Sequence, residues 1–178
     1  MTSADHGAQF LAEALAGFRT LKDQADRALA QAGDEAFFAR LDDGSNSLAV
    51  LVAHVAGNAI SRWTDFLTTD GEKPARNRDA EFELDSRLTR ADLMQQWEAG
   101  WRVVFAAVEP LTSPDLGRII TIRGEPHSVM RAILRQIQHY AYHVGQIVQL
   151  AKHYRGADWQ TLSIPKGQSR QYDRALRS

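Results

Sequence analysis

The stretch Pro126–Arg155, PHSVMRAILRQIQHYAYHVGQIVQLAKHYR, decides the fold class. Its apolar residues Val129, Ile133, Ile137, Val144, Ile147, Val148 and Ala151 recur at helical spacing. Pro126 suits a first turn and Gly156 stands where a C-terminal cap belongs, so the pattern predicts one long helix from His127 to Arg155. Within it His139 and His143 are four apart. Side chains at that spacing lie one above the other on a single face, with Cβ atoms ~5–6 Å apart. Two imidazoles can grip one metal ion across such a span. Two ligands do not complete a site, and His54 is the candidate for the third.

Working outward, 178 residues with 44% hydrophobic content fit one globular domain with a real core, residues 1–178. The 21 basic and 22 acidic side chains leave a net charge of -1, which gives no overall field for nucleic acid or an anionic membrane. The absence of cysteine excludes disulfides, thiolate metal ligands, a CxxC redox pair and a cysteine nucleophile. Any reactive thiol must come from outside. The N-terminus MTSADHGAQF has no basic segment followed by an apolar run, and no stretch reaches the ~20 apolar residues of a membrane span. A soluble, cytoplasmic protein is expected.

Three further helices are expected ahead of the last one. The first, Ser3 to Gln31, carries Leu11, Leu15, Phe18, Ala25 and Leu29 on one stripe. Ala36–Leu41 reads as a short extended or turn-like segment. Ser45, Asn46 and Ser47 offer N-caps to a second helix running to about Thr68, with Leu48, Val52, Val55, Ala59 and Phe66 as its stripe. Asp70–Asp85 is a long break of turn chemistry. Thr89 and Asp92 resemble a capping box that starts the third helix, whose seam is Met94, Trp97, Trp101, Val104, Val108 and Leu111. Arg118–Arg123 reads as a short strand or hairpin arm. In the tail, Trp159, Leu162 and Ile164 can fold back over the helices. The order indicates an all-α four-helix bundle with a long crossover between helices 2 and 3.

In such a bundle helices 2 and 4 can face one another. Helix 2 carries His54, Asn58, Ser61, Arg62 and Asp65 along a strip beside its apolar stripe, and helix 4 carries Arg135, Gln136, His139, His143 and Gln146 in the same relation. If the two polar strips meet, His54 joins His139 and His143. Spacing alone also fits solvated faces and a chance histidine pair. The residues between the pair, Tyr140, Ala141 and Tyr142, exclude the HExxH zinc motif, and helix 4 has no Asp or Glu for a Glu-x-x-His di-iron motif. His6, His127 and His153 read as helix-end or surface residues.

The His within LVAHVAGN and the His-x-x-x-His followed by GQI resemble the DinB/YfiT-like superfamily of metalloenzymes. The segments NSLAVLVAHVAGNAISRWTDFLTTDGEKPARNRDAEFE, TIRGEPHSV and DWQTLSIPKGQS resemble more closely one branch known only as a domain of unknown function. The likeness covers about Glu35 to Tyr172. It implies a four-helix bundle whose three metal-binding histidines are His54, His139 and His143. It also implies a divalent ion, zinc or nickel, and chemistry that uses a low-molecular-weight thiol such as bacillithiol or mycothiol. Relatives in the superfamily are often dimers, so a homodimer is expected.

Three His ligands leave a coordination position open, which favours a catalytic or ligand-binding role over a structural one. The leading expectation is metal-assisted thiol transfer to a small electrophile. Asn58 and Arg62 are then candidate substrate contacts, with Arg62 able to clamp a carboxylate. Arg76, Arg78 and Arg123 are weaker candidates, and for each of these arginines, Arg62 included, a surface ion pair with a neighbour such as Asp65, Asp79 or Glu81 is favoured over a substrate contact. No catalytic residue is assigned. The alternatives are a metal-dependent hydrolase, a non-catalytic metal-binding or ligand-sensing bundle, and an interaction module built on Trp63.

Overall fold

Residues 5–175 are described by a computed structural model of the chain, which is mainly helical with one small two-stranded sheet. The elements in order are α1 (His6–Leu29), α2 (Asp34–Phe38), α3 (Leu48–Trp63), α4 (Arg90–Val108), the strands β1 (Ile119–Ile122) and β2 (Glu125–Ser128), α5 (Val129–Arg155) and α6 (Ser169–Ala175). Each long helix starts at a side chain that satisfies its free amides. Asp5 accepts from Gly7 and Ala8, Ser47 from Val50, Thr89 and Asp92 form the expected capping box, and Ser128 accepts from Arg131. Gly156, at φ +59°, ends α5 as expected. The expected helix start at Ser3 lies outside the described residues.

Helix α1 packs on α4 and α5, and α3 packs on the same two helices. Between them lies an aromatic core of Phe18, Trp63, Trp97, Trp101 and Tyr140, all buried. Trp101 and Tyr140 have ring centroids 5.3 Å apart, and the Trp63 indole N–H donates to the Tyr140 hydroxyl at 3.2 Å. Trp63 is therefore core and gives no support to the alternative of an interaction module built on it. Helix α3 is buried on nearly every side, so its polar strip, His54, Asn58, Ser61 and Arg62, lies inside the protein.

Helices α3 and α4 run in the same direction. Gly100 lies against the backbone of Ala56 midway along both, where an added Cβ would stand 3.1 Å from Ala56, and farther on Trp63 shares a groove with Val103 and Pro110. Two parallel neighbours need a long return, and residues 64–89 supply it. That return is mostly irregular, with one 3-10 turn at Asp79–Glu81.

Several local readings are corrected. Asp34–Phe38 is a short helix that buries Phe37, where a short extended or turn-like segment was expected at Ala36–Leu41. Helix α3 stops at Trp63 because Thr64 is extended and Asp65 takes φ +48°. Pro126 and His127 belong to β2 and not to the first turn of α5. The strands pair Ile122 with Glu125 across a two-residue turn, Arg123 at φ +55° and Gly124 at φ +77°. Both signs are those of a primed hairpin turn. His127, expected at the surface, is buried on that hairpin.

Left-handed backbone at Arg123 costs roughly 1–2 kcal/mol. The Asp70 carboxylate offsets it by accepting from the amides of Arg123 and Gly124, both at 2.9 Å, while the Gly71 amide donates to the Thr121 carbonyl at 2.8 Å. These bonds pin the hairpin tip to the return between α3 and α4, and they hold the Asp70 carboxyl below its usual range. In the tail, Trp159 and Leu162 pack against the core as expected, whereas Ile164 is exposed. No helix among the described residues is long and apolar enough to cross a membrane.

Candidate metal centre

Helix α3 presents His54 and α5 presents His139 and His143 to one point. His54 and His143 are buried and His139 is half-buried. The Nε2 atoms of His139 and His143 are 3.1 Å apart, close to the ~3.3 Å that separates ligand atoms in a tetrahedral zinc site with bonds of about 2.0–2.1 Å. One nitrogen from each of the three rings lies within 4.8 Å of the others, and among the described residues no other group of three His, Cys, Asp or Glu side chains meets that test.

The outer ring nitrogens decide whether these are ligands in form as well as in position. His54 Nδ1 lies 2.8 Å from Glu81 Oε2, so this nitrogen carries the proton, donates it to the carboxylate and leaves the Nε2 lone pair free. His143 Nδ1 is 3.1 Å from Gln146 Oε1, which fixes the same tautomer. His139 Nδ1 is buried without a partner. Burial pushes His139 down to about 3, helped by His143, His54 and the nearby Arg62 and Arg76. Burial also lowers His143, against the hydrogen bond to Gln146. Neutral rings at neutral pH are what a metal ion requires. The three side chains could therefore hold one ion.

Glu81 and its neighbours come from the return between α3 and α4. The Arg76 guanidinium clasps Glu81 with two hydrogen bonds of 2.8 Å, from Nε to Oε1 and from Nη2 to Oε2, and its Nη1 reaches Glu72 at 3.2 Å. Burial acts to raise the Glu81 carboxyl, but the hydrogen bonds from His54 and Arg76 outweigh it and hold it below its usual range. Gly57, one turn beyond His54 on α3, makes room for this carboxylate. A Cβ at position 57 would strike it, with Cδ only 3.0 Å away. The Phe82 ring lies beside His54, the two centroids 5.0 Å apart.

Beside the histidines is a cavity of about 180 Å³ whose lining includes His54, His139, Asn58 and Arg62. The Asn58 Oδ1 accepts from the Gln136 side-chain amide at 2.7 Å, a buried bond between α3 and α5. Arg62 is 4% exposed, its Nε and Nη1 have no partner, and Nη2 reaches Glu72 only at 3.5 Å. Arg76 lines the cavity but is tied to Glu81 and Glu72. Arg123 pairs with Glu72 at 3.2 Å and Arg78 stands 3.9 Å from Asp79. Tyr140, fully buried and pushed up to about 12, is a core residue.

Sequence reasoning treated Glu81 only as an ion-pair partner and missed its place behind His54. Nothing in the linear sequence marks it, since 27 positions and an irregular return separate the two. Gln146 was in the polar strip, three residues from His143, and its role was open to reading.

No curated protein matches the chain. Residues 5–168, a span that contains all three histidines, the return that orients them and the hairpin, match the family described as a protein of unknown function (DUF1572), and the chain belongs to that family.

Proposed function

We propose that His54, His139 and His143 bind one divalent metal ion, zinc or nickel, through their Nε2 atoms, and that the protein is an enzyme of thiol-dependent transfer to a small electrophile. The observation that carries the metal site is the convergence of three imidazoles, two of them oriented by Glu81 and Gln146. An ion there supplies the charge that keeps a thiol deprotonated at neutral pH. The chain has no cysteine, so the thiol is a separate cosubstrate. Asn58 and Arg62 face the same cavity and serve as substrate contacts.

In this reading the chain is a single domain. The four long helices form a DinB/YfiT-type four-helix bundle with residues 64–89 as its crossover, and the protein works as a cytoplasmic homodimer. The hydrolase alternative is weaker because Glu81, the carboxylate beside the histidines, is engaged by both His54 and Arg76.

The test has two parts. Elemental analysis of protein purified without added metal should give one equivalent of metal, lost in His139→Ala. Thiol consumption with a panel of thiols and electrophiles should turn over and be absent in His143→Ala. Bound metal without any thiol consumption leaves a binding or sensing protein.

A further inference from the structure

Five arginines, Arg62, Arg76, Arg78, Arg123 and Arg135, line the cavity beside the histidines, and among the described residues no carboxylate does. Just behind it, Glu72 and Glu81 compensate part of this charge. Glu81 is spent on Arg76 and His54, and Glu72 is shared among Arg76, Arg123 and Arg62. Arg62 gains least. It is almost fully enclosed, two of its three nitrogens lack any partner, and burial together with the nearby Arg135 depresses its pKa. A buried guanidinium without matched acceptors is costly, and its natural complement is an oxyanion.

The surroundings leave room for that complement. An added Cβ on Gly71 would stand 2.8 Å from Arg62 Nη1, so the glycine lets the backbone close over the guanidinium from one side. Arg62 lines the cavity together with Arg135 from α5 and Arg123 from the hairpin tip. At about 180 Å³ it has room for a small acid.

We propose that this cavity binds the carboxylate or phosphate group of a small anionic substrate, with Arg62 as the buried contact and Arg135 and Arg123 at its mouth. The proposal names the substrate class of the site described above and rests on that reading for the reacting end of the molecule. The anion contact stands on the arginines themselves. With the anion on Arg62, the other end of a small molecule points toward His54 and His139, which line the same cavity. Arg76 has a positioning role through Glu81 and is not an anion contact.

The test is calorimetric titration of the full chain, metal-depleted and zinc-loaded, with succinate, with inorganic phosphate and with the neutral diamide succinamide. At least one anion should bind both forms, the diamide should not, and affinity should fall with added salt. The two anions distinguish a carboxylate from a phosphate ligand. Arg62→Gln should weaken binding by about tenfold or more, as expected for the loss of charge-assisted hydrogen bonds. Arg135→Gln is an exposed change on α5 that leaves the core intact, so it keeps the test decisive should Arg62→Gln fail to fold; it should weaken binding several-fold. Absence of binding by either anion, equal binding of the diamide, or unchanged affinity in Arg135→Gln overturns the proposal. Metal content measured on the same samples separates the two readings. Metal without anion binding overturns the anion pocket alone, and anion binding by protein that never acquires metal supports the pocket while overturning the metal centre.

Discussion

His54 Nδ1 and Glu81 Oε2 stand 2.8 Å apart, joining a helix to the irregular return that leads away from it. The carboxylate faces the ring nitrogen that a metal would not use, and Arg76 fixes it from behind. Orientation of this kind raises the basicity of the ligand nitrogen and fixes its tautomer.

Glu81→Gln keeps the shape and removes the charge. Metal affinity, measured by competition with a chromogenic chelator, should fall by roughly 10–100-fold. Glu81→Ala should do more, because it leaves the buried Arg76 with only Glu72. Loss of one partner of a buried ion pair costs about 3–5 kcal/mol, read by urea denaturation of the metal-free protein. An unchanged chelator competition curve for Glu81→Gln would remove the carboxylate from the account of the site.

Gly57→Ala separates helix stability from site geometry. Alanine favours a helix interior by up to about 1 kcal/mol, yet here its methyl displaces the Glu81 carboxylate. The variant should stay folded by circular dichroism and still bind metal more weakly. Wild-type metal affinity in this variant would show that the return can shift without consequence.

The neutral imidazoles make the metal-free protein sensitive to acid. His139 has an ordinary value of 6.5 when unfolded and about 3 when folded. Between these values the unfolded chain binds the extra proton, so stability rises with pH. The contribution is present above 6.5 and is lost as pH falls toward 3. His143, also lowered, acts in the same direction. Urea midpoints of the metal-free protein should fall across this window, and His139→Gln should show a shallower slope.

Asn58 and Gln136 form a buried amide pair across α3 and α5. Asn58→Ala strands the Gln136 N–H group and should cost about 1–3 kcal/mol. In Asn58→Ala with Gln136→Leu the loss should be less than the sum of the single changes, a coupling that a double-mutant cycle in urea measures.

The long helices and the pairing of His139 with His143 were legible because they depend on spacing within one element. His54 was legible because its strip lies beside an apolar stripe that had to face inward. Glu81 was not, because its position depends on how residues 64–89 cross the protein, which no local pattern encodes. The start of α5 was misread for a definable reason. Pro126 fits a helical first turn, and the competing signal, a primed turn at Arg123-Gly124, carries arginine where asparagine is the usual residue. That arginine is tolerated because Asp70, more than fifty positions earlier, receives the two amides of the turn. Trp63 was misread because α3 is enclosed on nearly every side, and a helix without a clear outer face leaves no pattern to show which side a tryptophan takes.

Beyond Phe66, whose ring packs on Trp63, the return from α3 to α4 adds little to the aromatic interior, yet Glu72, Arg76, Glu81 and Phe82 all sit on it. The three imidazoles and the brace behind one of them are therefore housed in separate lengths of chain. A protease nick between Pro74 and Ala80 would spare the helices their shared interior while unfastening the brace behind one imidazole. Such a cut molecule would lose its hold on an ion before its helices came apart.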